Sequence, residues 1–331
     1  MRRRDLITIL SGGVAAWALS AHAQQPADGM RRVGVLFGIG RDAEGQLRFA
    51  ALQQRLRELG WVEGKNVRID ARWAAGNPDL ARTHAAELVD LKPDVIVSTS
   101  TPATEALRQQ TRSVPIVFLL VTDPVGAGFV TNLARPEANL TGFTNFELSM
   151  GGKWLEILKE IAPDVARVGL IFNSANSPAV RSYYGPSIDE ATRKLGIASV
   201  DAPVRDDAEI ERAIDAFARE ANGGLVVLPD TTVAHFRDVV VSAVARHRLP
   251  AVYPYRYYAT SGGLLSYGID TVDLYLRAAS YADRILRGAK TADLPVQQPT
   301  KFELVVNLNI ANAIGVGIPP SLLARADEVI E

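Results

Sequence analysis

Residues 33–59 have the sequence VGVLFGIGRDAEGQLRFAALQQRLREL, in which a short apolar run precedes a longer amphipathic stretch. The run Val33–Phe37 predicts a buried β-strand, because five consecutive apolar or small residues fit a strand covered on both faces. From Gln46 to Leu59 the leucines recur at helical spacing, and Gly60 follows as a stop signal. The segment is therefore predicted to be one strand–loop–helix unit.

The same unit recurs along the chain. Apolar runs follow at residues 94–98, 115–120, 167–172, 224–228 and 250–253, separated by amphipathic stretches. Such alternation predicts an α/β protein with parallel sheets that carry helices on both faces. The elements fall into two series that echo each other, so we predict two doubly wound lobes of one architecture.

Surplus strand and helix signals after the second series predict that the chain returns to the first lobe and then to the second. The predicted first lobe comprises residues 31–144 and 263–297, and the predicted second lobe comprises residues 145–262 and 298–331. Three segments would then connect the lobes near residues 144, 262 and 298. A connection of this kind forms a hinge.

The N-terminus has the three parts of a secretory signal peptide. A basic start at Arg2–Arg4 precedes an uncharged stretch, and Ala21–Ala23 form an A-x-A cleavage site. The apolar part is shorter than the ~20 residues of a membrane span, although a membrane-anchoring helix is the alternative. We predict a signal peptide over residues 1–23, cleaved after Ala23. Arg3 and Arg4 resemble a twin-arginine signal, and the general secretion route is the other possibility.

The sequence contains no cysteine and has a net charge of -1. The lack of cysteine excludes disulfides, thiolate metal sites and a lipid-anchoring cysteine. An exported binding protein without a lipid anchor needs an outer membrane to keep it near the cell, which indicates the periplasm. With this nearly balanced charge, the sequence has no basic stripe that could bind nucleic acid. We therefore expect no nucleic-acid partner. After signal removal we also expect no stable membrane insertion.

Small polar or aromatic residues follow most of the predicted strands. Ligands in open α/β sheets bind beyond the carboxyl ends of the strands, so these residues are candidate ligand contacts. Each polar one could instead cap the following helix. The predicted ligand-binding residues are Gly38, Ser100, Thr101, Thr122, Asp123, Asn173, Asp230, Tyr253, Tyr255, Arg256 and Tyr267.

Some of these residues suggest the chemistry of the ligand. A helix that starts near Pro102 would offer free N–H groups to an anion, with hydroxyl donors from Ser100 and Thr101. Asp230 could accept from an ammonium group, and Arg256 could pair with a carboxylate. The three tyrosines offer apolar walls with polar tips. The set predicts a small carboxylate ligand, first an aromatic or branched amino acid and alternatively an aryl carboxylate.

Signals for catalysis or a cofactor are weak. The histidines that follow the signal peptide lie far apart, without metal-ligand spacing, and no G-x-S-x-G elbow is present. Residues Gly38–Ala43 fit a permissive dinucleotide fingerprint, but Asp70 lies about thirty residues further on, beyond the usual spacing of about twenty. We therefore predict a protein that is not an enzyme, with no metal and no cofactor.

Several longer motifs are similar to those of a known family. They are LRELGWVEGKNV at residues 56–67, DPVGAG at 123–128, LARP at 133–136, GGLLSYG at 262–268, PTKFEL at 299–304 and IPPSLLARADE at 318–328. Together they resemble the ABC transporter substrate-binding family that includes tryptophan-binding proteins. The resemblance covers nearly the whole chain after the predicted signal peptide.

The resemblance implies a type I periplasmic binding protein fold and no catalysis. It implies an ABC permease and its ATPase as partners. By position, it places ligand contacts at Ser100, Thr101, Thr122, Asn173 and Asp230. A periplasmic sensor of the same fold, which reports its ligand to a membrane receptor, is the alternative function.

Overall fold

The computed structural model describes residues 29–136, 138–177 and 179–331, so the predicted signal peptide lies outside the described residues. Residues Arg31–Glu331 form one compact unit in which strands and helices alternate. The strands are β1 (Arg31–Phe37), β2 (Val67–Trp73), β3 (Val95–Thr99), β4 (Ile116–Val121), β5 (Leu140–Thr144), β6 (Arg167–Phe172), β7 (Ala198–Pro203), β8 (Gly223–Val227), β9 (Ala251–Tyr253), β10 (Leu265–Ile269), β11 (Phe302–Asn307) and β12 (Glu328–Ile330). The helices are α1 (Ala43–Glu58), α2 (Pro78–Asp90), α3 (Thr101–Gln110), α4 (Met150–Ile161), α5 (Ala179–Leu195), α6 (Asp207–Phe217), α7 (Thr231–His235), α8 (Arg237–Arg246), α9 (Arg256–Thr260), α10 (Thr271–Leu286), α11 (Leu308–Ile314) and α12 (Pro320–Leu323).

The first lobe is built on a parallel sheet with the strand order β2-β1-β3-β4-β5. Successive side chains of a strand point to opposite faces, and both faces of this sheet are covered. Val35 packs on the side of Leu52 in α1, whereas Leu36 packs on the side of Leu88 in α2. Helix α10 lies beside α1, and α3 lies beside α2. Burial on both faces explains why the strands read as continuous apolar runs.

The second lobe is built on a sheet with the strand order β12-β11-β10-β9-β8-β6-β7. Its pairs are parallel except for β10 and β11, which run antiparallel. Trp154 of α4 is fully buried, and its Nε1 donates to the carbonyl oxygen of Tyr267 at 2.8 Å. The two predicted α/β lobes are thus confirmed.

The chain passes between the two sheets three times, but the second passage differs from the sequence-based boundary near residue 262. Strand β10 pairs with β9 in the second sheet, so the chain leaves the second lobe only after Ile269. Gly268 allows this pairing, because a Cβ there would lie 1.8 Å from the carbonyl oxygen of Pro254. The first and third passages run side by side, since the N–H of Thr144 donates to the carbonyl oxygen of Gln297 at 2.9 Å.

Two local predictions were also wrong. The alternation of strands and helices in the sequence predicts a further helix over about residues 126–133, but the structure has turns there, and Asp123, with a φ of 48°, accepts from the N–H of Gly126. Helix α1 begins earlier than the predicted Gln46, because Asp42 caps it by accepting from the N–H of Gly45 at 2.8 Å. None of the helices in the described ranges is long and apolar enough to cross a membrane.

Candidate functional site

The carboxyl ends of strands from both sheets surround a cavity of about 40 Å³, which we name the inner cavity. Ser100, Thr101 and Thr122 line it from the first lobe, and Asp230 and Tyr255 line it from the second. Five of the residues predicted from the sequence therefore lie together. They converge because each one follows a strand at the edge where parallel strands end.

Three further predicted residues lie at the same strand ends without lining the inner cavity. Asp123 lines an adjoining space instead. Asn173 closes its own turn, because its Oδ1 accepts from the N–H groups of Ala175 and Asn176. Gly38 leaves room for Ser100, since a Cβ on Gly38 would lie 2.3 Å from the Ser100 Oγ. Gly38 and Asn173 thus shape the strand ends.

The structure places Tyr253, Arg256 and Tyr267 away from the inner cavity. Tyr253 is buried and stacks on Tyr258 with ring centroids 5.0 Å apart. Arg256 forms an ion pair with Glu328, and the Tyr267 ring on β10 stacks at 6.2 Å on that of Phe302. For Tyr253 and Arg256, nearness in sequence to Tyr255 was misleading, because the strand end and the short helix α9 point successive side chains in different directions.

Arg48 of α1 lines the inner cavity and was not predicted from the sequence. Only 2% of it is exposed. Its Nε donates to the Glu44 Oε1 at 2.8 Å, and its Cζ lies 5.2 Å from the centroid of the Tyr257 ring. Within the described residues, no group forms a hydrogen bond with its Nη2. Arg48 is therefore a buried cation that pairs with Glu44 and keeps its Nη2 without an acceptor.

The Arg48 guanidinium stays charged despite its burial. Burial lowers the pKa of Arg48, but the negative charge of Glu44 more than offsets this and raises the pKa above its ordinary value. A pattern in the sequence could have revealed this residue. Arg48 stands four positions before Leu52 and eight before Leu56, so it belongs to the apolar stripe of α1.

Asp230 is the counterpart of Arg48 in the second lobe. Its Oδ1 caps α7 and accepts from the N–H groups of Thr232 and Val233 at 2.8 and 2.9 Å. The residue is 6% exposed, and no described residue meets hydrogen-bond geometry at its buried Oδ2. Burial raises the pKa of Asp230, and the nearby N–H groups of Val233 and Asn173 and the Ser177 hydroxyl offset this only in part. The cap thus uses one carboxylate oxygen and leaves the other unpaired.

The backbone around the cavity is strained at three positions that are not glycine. Ser100, Leu120 and Asp123 have φ angles of 89°, 56° and 48°. Conformations of this kind persist only where surrounding contacts hold them, and they cluster at functional sites. At Ser100 the strain turns β3 into α3, and the Oγ of Ser100 accepts from the N–H of Ala103 at 3.4 Å. The N-terminus of α3 therefore faces the cavity.

The two lobes also touch beyond the inner cavity. The Arg237 Nη1 of the second lobe donates to the Asp42 Oδ2 of the first at 2.5 Å. The Thr232 Oγ1 and the Asn176 Nδ2 approach the carbonyl oxygen of Gly76 at 3.3 and 3.4 Å. Gly76 has a φ of 73°, and a Cβ there would lie 3.0 Å from the Thr232 Cα. These contacts connect the two lobes directly.

A cavity between two α/β lobes, lined by a buried guanidinium and a buried carboxylate that each keep one atom without a hydrogen bond, is typical of proteins that bind small molecules. Throughout the described part of the chain, no group of three or more side chains could hold a metal ion. The chain belongs to the ABC transporter substrate binding protein family, whose model matches residues 32–330.

Relatives with known names or structures agree with this membership. A tyrosine-binding protein of Clostridioides difficile (strain R20291) is 27% identical over 259 residues, which are 78% of this chain and 74% of that protein. A crystal structure of a conserved domain protein from Vibrio cholerae is 31% identical with a TM-score of 0.84, covering 91% of this chain and 100% of that one. A domain from Streptococcus pneumonia in complex with L-Trp is 27% identical with a TM-score of 0.83, with the same coverage.

Proposed function

We propose that this protein captures a free aromatic α-amino acid between its two lobes. One observation carries the proposal: the Arg48 Nη2 and the Asp230 Oδ2 are both buried, both unpaired within the described residues, opposite in charge, and part of one cavity. Uncompensated buried charges are costly. An α-amino acid would pair with both charges at once, because it carries a carboxylate and an ammonium group.

Other ligand classes fit this arrangement less well. A neutral sugar would offer no opposite charge to the Arg48 Nη2 or to the Asp230 Oδ2, and an aryl carboxylate would satisfy Arg48 but not Asp230. The N-terminus of α3, with the hydroxyls of Ser100 and Thr101, adds donors for a carboxylate. The names of the tyrosine-binding relative and of the L-Trp complex support an aromatic amino acid.

Calorimetric titration of the mature protein tests the proposed function. The panel contains the standard amino acids, aryl carboxylates that lack an amino group, and neutral sugars. We expect tyrosine, tryptophan or phenylalanine to bind most tightly and to reduce the radius of gyration in small-angle scattering, because the contacts from both lobes favour closure. Tight binding of a sugar, with no binding of any amino acid, would contradict the proposal.

We further propose that the protein is exported to the periplasm and delivers its ligand unchanged to an ABC permease with its ATPase. The family and the signal-peptide pattern at residues 1–23 support this role. The intact mass of the exported protein should correspond to a chain that begins at Gln24. An exported chain that still begins at Met1 would contradict cleavage after Ala23.

A further inference from the structure

A second space opens from the inner cavity between the lobes. Its volume is about 590 Å³, and we name it the outer chamber. Thr101, Pro102, Thr122, Ser177 and Val180 line both spaces, so the two adjoin each other. A ligand bound in the inner cavity could therefore extend into the outer chamber without a further change in the fold.

Apolar side chains from both lobes form much of the chamber wall. Pro102, Ala106 and Phe129 contribute from the first lobe, and Ala179 and Val180 of α5 contribute from the second. Phe129 is buried, and its ring lies 6.3 Å from that of Phe118. Because the wall is shared, closure of the lobes would enclose an apolar group held there.

The charged groups of the outer chamber have partners within the protein. Glu105 accepts from the Arg108 Nε at 2.7 Å, Arg82 pairs with Asp79, and Asp123 accepts from the N–H of its own turn. Every unpaired buried side-chain atom found in the described residues lies outside this wall. The inner cavity has the opposite character, since the Arg48 Nη2 and the Asp230 Oδ2 each lack a partner among the described residues.

The volumes of the two spaces also suit two different parts of an amino acid ligand. The inner cavity, at about 40 Å³, has room for about three water molecules and is too small for a whole aromatic amino acid. The outer chamber, at about 590 Å³, lies within the ~300–1,000 Å³ typical of small-molecule sites. The charged head of an amino acid fits the first space, and its side chain requires the second.

We propose that the outer chamber receives the aromatic side chain of the ligand and selects aromatic amino acids over small ones. The proposal rests on the proposed function, which places the ammonium and carboxylate groups in the inner cavity. The preference for aromatic amino acids follows from the apolar surface that the ligand side chain buries, because an aromatic ring buries much more of it than the methyl group of alanine does.

Two substitutions that fill the chamber from opposite lobes test this proposal. Ala127 and Ala179 both line it and are half-buried, so leucine at either position projects into the space. Ala127→Leu and Ala179→Leu should each weaken L-tyrosine and L-tryptophan by about tenfold or more, because overpacking displaces the ring. L-Alanine, measured by competition, should change by less than about twofold. Ala50→Leu, on the exposed surface of α1, is the matched control and should change neither.

Each result bears on the proposal. Unchanged binding of L-tyrosine and L-tryptophan by both folded variants would overturn it, and so would an equal loss for L-alanine, since that would place the effect at the head group. Thermal unfolding of the ligand-free variants verifies that they fold. The desamino analogue 3-(4-hydroxyphenyl)propanoate separates this proposal from the proposed function. If the wild type binds that acid but no amino acid, the proposed function fails, and Ala127→Leu must still weaken the acid if the chamber holds the ring.

Discussion

Arg48→Met should remove most of the affinity for L-tyrosine while leaving the ligand-free protein at least as stable as the wild type. The Arg48 Nη2 has no partner among the described residues, so the ligand carboxylate would be its acceptor and a second negative charge beside Glu44. Loss of one member of a buried, hydrogen-bonded charge pair costs about 2–5 kcal/mol, or roughly 30- to 5,000-fold in Kd. Calorimetry with L-tyrosine measures this loss.

The stability part of this prediction follows from the burial of Arg48. A buried guanidinium whose Nη2 lacks an acceptor is costly, and methionine of similar length removes that cost. Glu44, the partner left behind, keeps 21% of its side chain exposed and can be hydrated. The unfolding temperature of ligand-free Arg48→Met should therefore equal or exceed that of the wild type.

A control on the same helix separates charge in the cavity from charge in general. The side chain of Arg55 is 38% exposed and pairs with Glu58. Arg55→Met should leave the affinity for L-tyrosine unchanged, because exposed pairs contribute about 0–1 kcal/mol and this one lies outside the cavity. Wild-type affinity in Arg48→Met would contradict the prediction and would leave the N-terminus of α3 as the carboxylate site.

Ligands of open α/β sheets bind beyond the carboxyl ends of the strands, and this tendency explains how much of the site could be predicted. Ser100, Thr101, Thr122 and Asp230 were found because each follows a strand, and the topology of parallel sheets brings such positions together. Arg48 is inside a helix, where arginine is normally solvated, so the same rule passes over it. Its place on the apolar stripe was the available signal, since a charge on that stripe must be buried or disrupt the packing.

The misplaced strand has a different physical origin. A surplus strand signal after the second series was recognised, but a sequence pattern does not state which sheet has a free edge for the strand. Strand β10 joins the second sheet because the five-residue helix α9 returns the chain beside β9, and because Gly268 permits close approach to Pro254. Such a choice depends on contacts between segments that are distant in sequence, which periodicity does not describe.

Asp230→Asn should weaken α-amino acids by about 1.5–3 kcal/mol, the range for hydrogen bonds to charged groups. The Asn Oδ1 can still cap α7 by accepting from the N–H groups of Thr232 and Val233, so the local fold should persist. The substitution removes the negative charge that the unpaired Oδ2 would offer to the ligand ammonium. The desamino analogue has no ammonium, and its affinity should change much less.

The pH dependence of binding is a second measurement that tests the predicted contact between Asp230 and the ligand ammonium. Burial raises the pKa of Asp230 above its ordinary 3.8 in the ligand-free protein. A bound ammonium would favour the carboxylate form, so wild-type affinity should fall as the pH is lowered through that raised pKa. The Asn variant has no such group, so this part of the pH dependence should be absent from its binding curve.

The direction in which burial shifts the pKa of Asp230 also predicts how the stability of the ligand-free protein depends on pH. Between pH 3.8 and the raised pKa of Asp230, the folded state binds more protons at this residue than the unfolded state does, so the contribution of Asp230 to stability falls as the pH rises through this window. At neutral pH the ionised carboxylate is therefore unfavourable, and Asp230→Asn should not lower the unfolding temperature.

The matched control is Asp206→Asn, since Asp206 caps α6 in the same lobe, is exposed, and accepts from the N–H of Glu209 at 2.8 Å. The control tests whether loss of a carboxylate at a helix cap is enough to alter binding. Asp206→Asn should leave ligand affinity and its pH dependence unchanged. An equal loss of affinity for L-tyrosine and for its desamino analogue in Asp230→Asn would contradict an ammonium contact. That result would assign Asp230 to shaping α7, because only a structural role affects both ligands alike.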